Sequence, residues 1–191
     1  MSNRLQLTQL AASIALVAGS AAFISSAHAA APAAGTNISN IASASYTDST
    51  GNTKTVSSNI VTTTVLQVAS FTMIADRTAN ANANNQVSLS HTLTNTGNGS
   101  DTFTVSVADV AASANADQYD FSNLTVYLDS NKDGTPDSQT PVTSVTLAAG
   151  ESVNLIVQAT TPTTGAGGGA LSAGDLGKLT ITAQSTLDST L

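Results

Sequence analysis

The feature of this chain that most constrains its fold is an alternation of apolar and polar residues with a period of two. Phe103, Val105 and Val107, for example, alternate with Thr and Ser. Residues two apart lie on the same face of a β-strand, so each such run predicts a strand with one buried and one solvated face. The pattern predicts strands at 69–75, 86–94, 102–108, 123–128, 142–147, 152–160 and 178–186.

Turn signals separate these runs and indicate how the strands are arranged. The segments Asn95–Gly99, Asp133-Gly134 and Ala149-Gly150 carry the residues that tight turns favour. Short strands at this spacing are typical of two packed sheets. The prediction for residues 67–191 is therefore an all-β, immunoglobulin-like two-sheet β-sandwich, and a closed barrel is the weaker alternative.

Residues 36–66 predict a β-hairpin that precedes this sandwich. Two alternating runs, 38–47 and 53–66, flank the turn sequence Asp-Ser-Thr-Gly-Asn at 48–52. An isolated two-stranded hairpin is marginally stable in water at best, so this one has to pack on something. Two interpretations stay open. The hairpin extends its own sandwich, or it adds to the sheet edge of a neighbouring copy and builds a fibre or layer.

The N-terminus has the three-part layout of a secretory signal peptide. Arg4 is followed by an apolar run from Leu10 to Ile24, and Ala27-His28-Ala29 is a small-x-small cleavage site. We predict a signal peptide at 1–29 and a flexible leader at 30–35. The mature chain contains no further apolar run of membrane length, so we expect an exported protein of the cell surface, the extracellular space or the periplasm.

Composition excludes several kinds of site. The chain has no Cys, which rules out disulfides and Cys-based zinc or redox centres. It carries 12 acidic and 5 basic residues, a net charge of −7, and a charge of this sign disfavours binding to nucleic acid. Ser and Thr make up more than a quarter of the residues. Without disulfides, packing alone has to hold an exported fold of this size together.

One acidic loop has the spacing of a calcium-binding segment. Asp129, Asn131, Asp133 and Asp137 supply oxygen atoms at loop positions 1, 3, 5 and 9, and the backbone carbonyl of Thr135 supplies position 7. Calcium prefers such hard oxygen ligands, so these residues predict a Ca²⁺ site. The bidentate Glu of an EF-hand is missing, and the alternative is an Asp- and Asn-rich turn closed by side-chain-to-backbone hydrogen bonds.

Catalytic patterns are weak. His91 is the single histidine after residue 29, and its parity points it into the sandwich as a packing residue. No G-x-S-x-G nucleophile motif is present. Asp117 and Asp120, near Tyr119 and Phe121, are either a sugar-binding loop or a loop packed by its own aromatic rings. We therefore expect no enzymatic activity.

Several runs of the chain resemble a known family. They are NISNIASASYTDSTGNTKTVSSNIVTTTV, VASFTMIAD, HTLTNTGNGSDTFTVSV, LTVYLDSNKDGTPD and LAAGESVNLIVQATTP. Together they resemble the repeat domain called domain of unknown function eleven, which occurs in surface-layer and adhesin-like proteins of bacteria and archaea. The resemblance implies an immunoglobulin-like fold, a cell-envelope location and no catalysis. Relatives often hold long arrays of this domain, whereas this chain holds one copy.

Two functions are consistent with these features. The first is a structural module of the cell surface or extracellular matrix, with itself or other envelope proteins as partners. The alternative is a binding or adhesion module that recognises a glycan or a partner protein through loops at one end of the sandwich, such as 117–121 and 160–174.

Overall fold

The computed structural model describes residues 31–74, 76–112 and 117–191. The predicted signal peptide lies outside these residues. The described part contains eleven β-strands and no helix, and therefore no helix that could span a membrane. The strands are β1 Asn37–Asn40, β2 Ser43–Thr47, β3 Thr53–Ser57, β4 Val61–Thr64, β5 Phe71–Ile74, β6 Gln86–Asn95, β7 Asp101–Asp109, β8 Ser122–Asp129, β9 Ser144–Leu147, β10 Ser152–Thr160 and β11 Leu179–Ser185.

Strands β5 to β11 form two antiparallel sheets with a common core. One sheet has the order β5-β6-β10-β8 and the other the order β11-β7-β9. The alternating apolar side chains of both sheets meet in a single cluster, and the rings of Phe71 and Phe103 pack 5.1 Å apart between centroids. Its buried members are Leu93, Phe103, Val105, Val126, Leu147, Val153, Leu155, Val157 and Ala183. The predicted all-β, sandwich-like fold is confirmed.

The observed strands follow the predicted ones closely, and β5 and β9 each begin two residues later than predicted. The alternation predicts a strand from residue 142, but β9 begins at Ser144. The Val142 N–H donates to the carbonyl of Val126 in the first sheet, whereas the Thr143 carbonyl accepts from Val105 in the second. The segment is crossing from one sheet to the other at this point, so it cannot yet pair as a strand.

Two edges of the sandwich are open on the same side. β5 pairs with β6 only from Asn95 back to Thr92, so the first half of β6 has no strand beside it there among the described residues. In the other sheet β11 is the terminal strand and pairs with β7 alone.

Residues 37–64, here called the arm, form a separate two-stranded ribbon. β1 pairs with β4, and β2 pairs with β3, both antiparallel. Between these pairings two residues on the first strand, 41–42, face three on the second, 58–60, which is a β-bulge in the second strand. Every residue of the four strands is exposed. Within the described chain these four strands pair only with one another.

The arm has two chemically different faces. Directly opposed residues of an antiparallel pair share a face. One face, here called the apolar face, carries Ile38, Ala44, Tyr46, Val56 and Val61, together with Asn40, Thr63 and, opposite Tyr46 near the tip, the charged Lys54. The other, the hydroxyl face, carries only Ser, Thr and Asn in both halves of the ribbon. This pattern is that of a strand pair with one side meant for burial, yet Val61 is 66% exposed.

Candidate functional site

The turn between β6 and β7 holds the base of the arm. The Asn98 side-chain amide donates to the carbonyls of Leu66 and Pro32, and its Oδ1 accepts from the Val68 N–H at 2.7 Å. The Asn98 backbone carbonyl accepts from Ala34. One Asn side chain therefore ties together the two chain segments that enter and leave the arm.

Close backbone approach explains the composition of this turn. A Cβ atom on Gly97 would lie 2.5 Å from the Val68 carbonyl oxygen, so only glycine fits there. Asn95 is fully buried beneath the turn. Its amide donates to the carbonyls of Gly99 and Leu147, and its Oδ1 accepts from the Gly97 N–H. The Asn-Thr-Gly-Asn-Gly sequence thus forms a rigid docking point for the arm.

The predicted calcium loop is closed by its own hydrogen bonds. Buried Asp129 accepts backbone N–H groups from Asp133 and Gly134 on its two carboxylate oxygens. Asp137 accepts the N–H of Ser130 at 2.8 Å. Hydrogen bonds from the Thr135 hydroxyl and N–H lower the pKa of Asp133.

This geometry is that of the alternative interpretation, an Asx-type turn. Gly134 takes a φ of 86°, which only glycine adopts readily, and it allows the tight reversal. Asn131 lies within this network, and its Nδ2 donates to Asp133. Among the described residues no group of three acidic or His side chains lies close enough to hold a metal ion. Calcium binding by Asp129, Asn131, Asp133, Thr135 and Asp137 stays a prediction.

A groove of about 960 Å³ opens between the two unpaired sheet edges. Val87 and Leu89 of β6 form one wall, and Leu179 and Ile181 of β11 form the other. Arg77 crosses its rim and donates from Nε to the carbonyl of Ser90 on the open edge of β6 at 2.8 Å. A cleft of this size with mainly apolar walls is the usual form of a binding site.

The loop 117–121, for which sugar binding and packing by its own aromatic rings were the alternatives, borders the same groove. The Tyr119 and Phe121 rings pack edge to face at 5.2 Å, and both line the cleft. Asp117 is 2% exposed, and its carboxylate accepts a hydrogen bond from the backbone N–H of Lys178. The Asp120 carboxylate accepts a hydrogen bond from the backbone N–H of Ala112. The loop is therefore packed by its own aromatics and tied by its carboxylates.

Burial perturbs two titratable groups at this end of the sandwich. It raises the pKa of Asp109, and the neighbouring Asp120 and Asp117 raise it further. Burial also raises the pKa of the Tyr119 hydroxyl.

His91, predicted to point into the sandwich, is 7% exposed and lies beside the groove.

The sequence pattern predicts neither the groove nor the role of Asn98. The groove depends on which strands lack a neighbour, and period-two alternation carries no information on pairing. The sequence does contain one signal that the exposed arm is unusual, namely its scarcity of charged residues. From residue 31 to residue 75 the chain contains only two charged residues, Asp48 and Lys54, although strand edges exposed to water normally carry charges.

Comparison of the chain with protein-family models, with curated proteins and with solved structures finds no match. The resemblance to the repeat domain of surface proteins therefore stays an expectation.

Proposed function

We propose that this chain is a non-enzymatic, exported structural module that assembles with copies of itself at the cell surface or in the extracellular matrix. The arm carries the proposal. It is a ribbon of 28 residues, 37–64, in which every strand residue is exposed and one face is apolar. An exposed apolar strand edge without protecting charges is a template for pairing with another chain.

The charges of the arm support this proposal. Asp48 and Lys54 lie at its tip, where their side chains approach to 3.9 Å. Lys54 is the single charged residue of the four arm strands and lies at their tip end, so burying the rest of these strands would desolvate no ionised group. The immunoglobulin-like relationship expected from the sequence fits the strand order β5-β6-β10-β8, which supports a passive module of the kind found in surface proteins.

Assembly of residues 30–191 tests the proposal. We expect the purified protein to form regular fibres or sheets in negative-stain microscopy, with a sedimentation coefficient that rises with concentration. Val61→Lys places a charge on the apolar face and should hold the protein as a monomer. Because Val61 is exposed, its replacement should change the free energy of unfolding by no more than about 0.5 kcal/mol.

The matched control is Thr62→Lys, which puts the same charge on the hydroxyl face one residue away. It should assemble more readily than Val61→Lys. A parent protein that stays monomeric at high concentration, or a Val61→Lys variant that assembles as the parent does, would contradict the proposal.

A binding module is the second candidate, and the groove beside Tyr119 and Phe121 is the observation that favours it. Stacking on aromatic rings is a common way to hold a sugar. The monomeric Val61→Lys variant offers the cleanest test on a glycan array. Retention of one glycan class, lost on Tyr119→Ala, would support recognition rather than assembly.

A further inference from the structure

We infer that the arm of one copy docks on the open edge of β11 in a second copy and closes its groove, so that copies join head to tail. This inference rests on the proposed function and adds the receiving site. The receiving strand, the donated strand and their positions in the fold each support it.

The open edge of β11 has backbone groups available for pairing. At one end of the β11–β7 ladder the Val110 N–H, just after β7, donates to the Lys178 carbonyl. At the other end the Thr186 N–H donates to the carbonyl of Thr102 in β7. Even-numbered residues of β11 therefore direct their backbone groups toward β7. Since these directions alternate in an antiparallel strand, the N–H and C=O groups of Leu179, Ile181 and Ala183 point away from the sheet.

The other end of this edge is already covered. The Ser185 N–H donates to the carbonyl of Leu191, so the C-terminal turn occupies the last position. The accessible part of the edge is thus 179–183, and its first half lines the groove. A strand added here would complete the sheet and bury the exposed parts of Leu179 and Ile181.

The first strand of the arm is the better donor. Its edge, Asn37–Thr47, runs without a bulge, whereas the second strand carries the extra residue near 58–60. Bulges disrupt edge pairing. The first strand also carries no charge between residues 37 and 47. Ile38, Ala44 and Tyr46 lie on its apolar face, which would cover the apolar wall of the groove.

Position in the fold makes the contact intermolecular. The arm is tied at Asn98, next to the end of β6 and the start of β7. The groove lies at the opposite ends of these strands, beside Val87 and Val110. A contact between two different surfaces of the same molecule is heterologous, and it generates an open filament unless its rotation happens to close a ring.

Cysteine cross-linking tests the docking, because the chain has no Cys of its own. Copies carrying Ser39→Cys, Ser43→Cys or Ser45→Cys, all on the hydroxyl face, are mixed in turn with copies carrying Thr180→Cys on the outer face of β11. We expect a disulfide-linked heterodimer in high yield for at least one register. The control partner is Thr146→Cys, an exposed position on β9 at the far edge of the same sheet, and it should give no more than background.

Hydrogen exchange provides a second measurement that needs no substitution in the groove. In the monomeric Val61→Lys variant the amides of Leu179, Ile181 and Ala183 should exchange quickly, and in the assembled parent they should be protected at least tenfold. The amides of Thr180 and Thr182, which face β7, should be protected in both.

The outcomes separate the two proposals. Assembly with arm-to-arm cross-links, or with no protection of the 179–183 edge, would overturn docking in the groove and leave self-assembly standing. A parent protein that never assembles would overturn both.

Discussion

Asn95 shows how one buried polar side chain organises a loop. The sequence pattern assigns it to the turn after the predicted strand 86–94, but in the structure it is the last residue of β6 and is fully buried. Its side chain satisfies two carbonyls and one N–H. Buried amides are tolerated only when their hydrogen bonds are made. Its neighbour Asn98 uses the same chemistry at the surface to hold the base of the arm.

Asn95→Ala should therefore destabilise the sandwich. It removes the hydrogen bonds from Asn95 to the carbonyls of Gly99 and Leu147 and leaves Leu147 the long bond from the Ser100 hydroxyl at 3.4 Å, so we expect a loss of about 1–3 kcal/mol in the free energy of unfolding, measured by urea titration. Thr96→Ala, at the exposed next residue, is the control and should cost about 0.5 kcal/mol or less. Equal effects of the two changes would show that the buried network is not what stabilises the turn.

Three carboxylates in surface turns make stability depend on acid. Asp48, Asp133 and Asp188 each accept the hydroxyl and N–H of the Thr two residues later, and these bonds lower their pKa below the ordinary 3.8. A lowered folded-state pKa gives stability that is present above the unfolded value and lost as pH falls through the folded one. The melting temperature should thus drop below about pH 4.

Replacing all three by Asn should flatten that drop, as measured by circular dichroism melts from pH 3 to pH 7. Asp109 gives a contribution of opposite sign. Burial raises its folded-state pKa, so its unfavourable effect develops as pH rises above 3.8, and Asp109→Asn should remove it. If the melting temperature of the triple variant falls with pH as steeply as that of the parent, other groups cause the acid sensitivity.

At the scale of single elements, the strands were predictable and the calcium loop was ambiguous. Period-two alternation located each sandwich strand to within about two residues, because burial of one face dictates that pattern. The acidic loop is different. The same oxygen atoms that would hold Ca²⁺ also accept backbone N–H groups, and sequence spacing does not distinguish the two uses.

Calcium should raise the melting temperature of residues 30–191 if the 129–137 loop binds it. In the described geometry the carboxylates of the loop accept hydrogen bonds. At millimolar concentration Ca²⁺ would take the place of these hydrogen-bond donors and interact more strongly with the carboxylate charges. Asp133→Ala should remove the increase. Because this variant also loses its bonds to Thr135, the relevant quantity is the difference between melts with and without calcium. An unchanged parent at millimolar calcium would leave the loop as a hydrogen-bonded turn.

At the scale of the whole molecule, the charges lie away from the surfaces proposed to meet. Without Arg4 the chain keeps 12 acidic and four basic residues, a net charge of −8, yet the four arm strands carry only one of these charges, Lys54 near the tip. Copies therefore repel one another at a distance and attract only on contact. The attraction comes from apolar burial and backbone pairing, which salt does not screen.

Raising the NaCl concentration from 10 to 150 mM, which shortens the Debye length from about 30 Å to about 8 Å, should thus promote assembly. We expect a lower critical concentration and a shorter lag by light scattering. The Thr62→Lys variant has a net charge that is less negative by one, so its copies repel one another less. Its assembly should therefore depend less on the salt concentration. Assembly weakened by salt would instead point to ion pairs as the main contact.

The pattern of residues alone predicts the local structure of the sandwich: which segments are strands, which face of each is buried, and where the turns lie. These properties follow from neighbouring side chains and from chain geometry. The tertiary structure decided which strands became neighbours. In the described chain the first half of β6 and the outer edge of β11 have no neighbouring strand. The arm is attached at the opposite end of the sandwich, and its strands pair only with one another. Pairing depends on how distant segments share one core, and an alternating pattern is the same whether a strand lies in the middle of a sheet or at its edge.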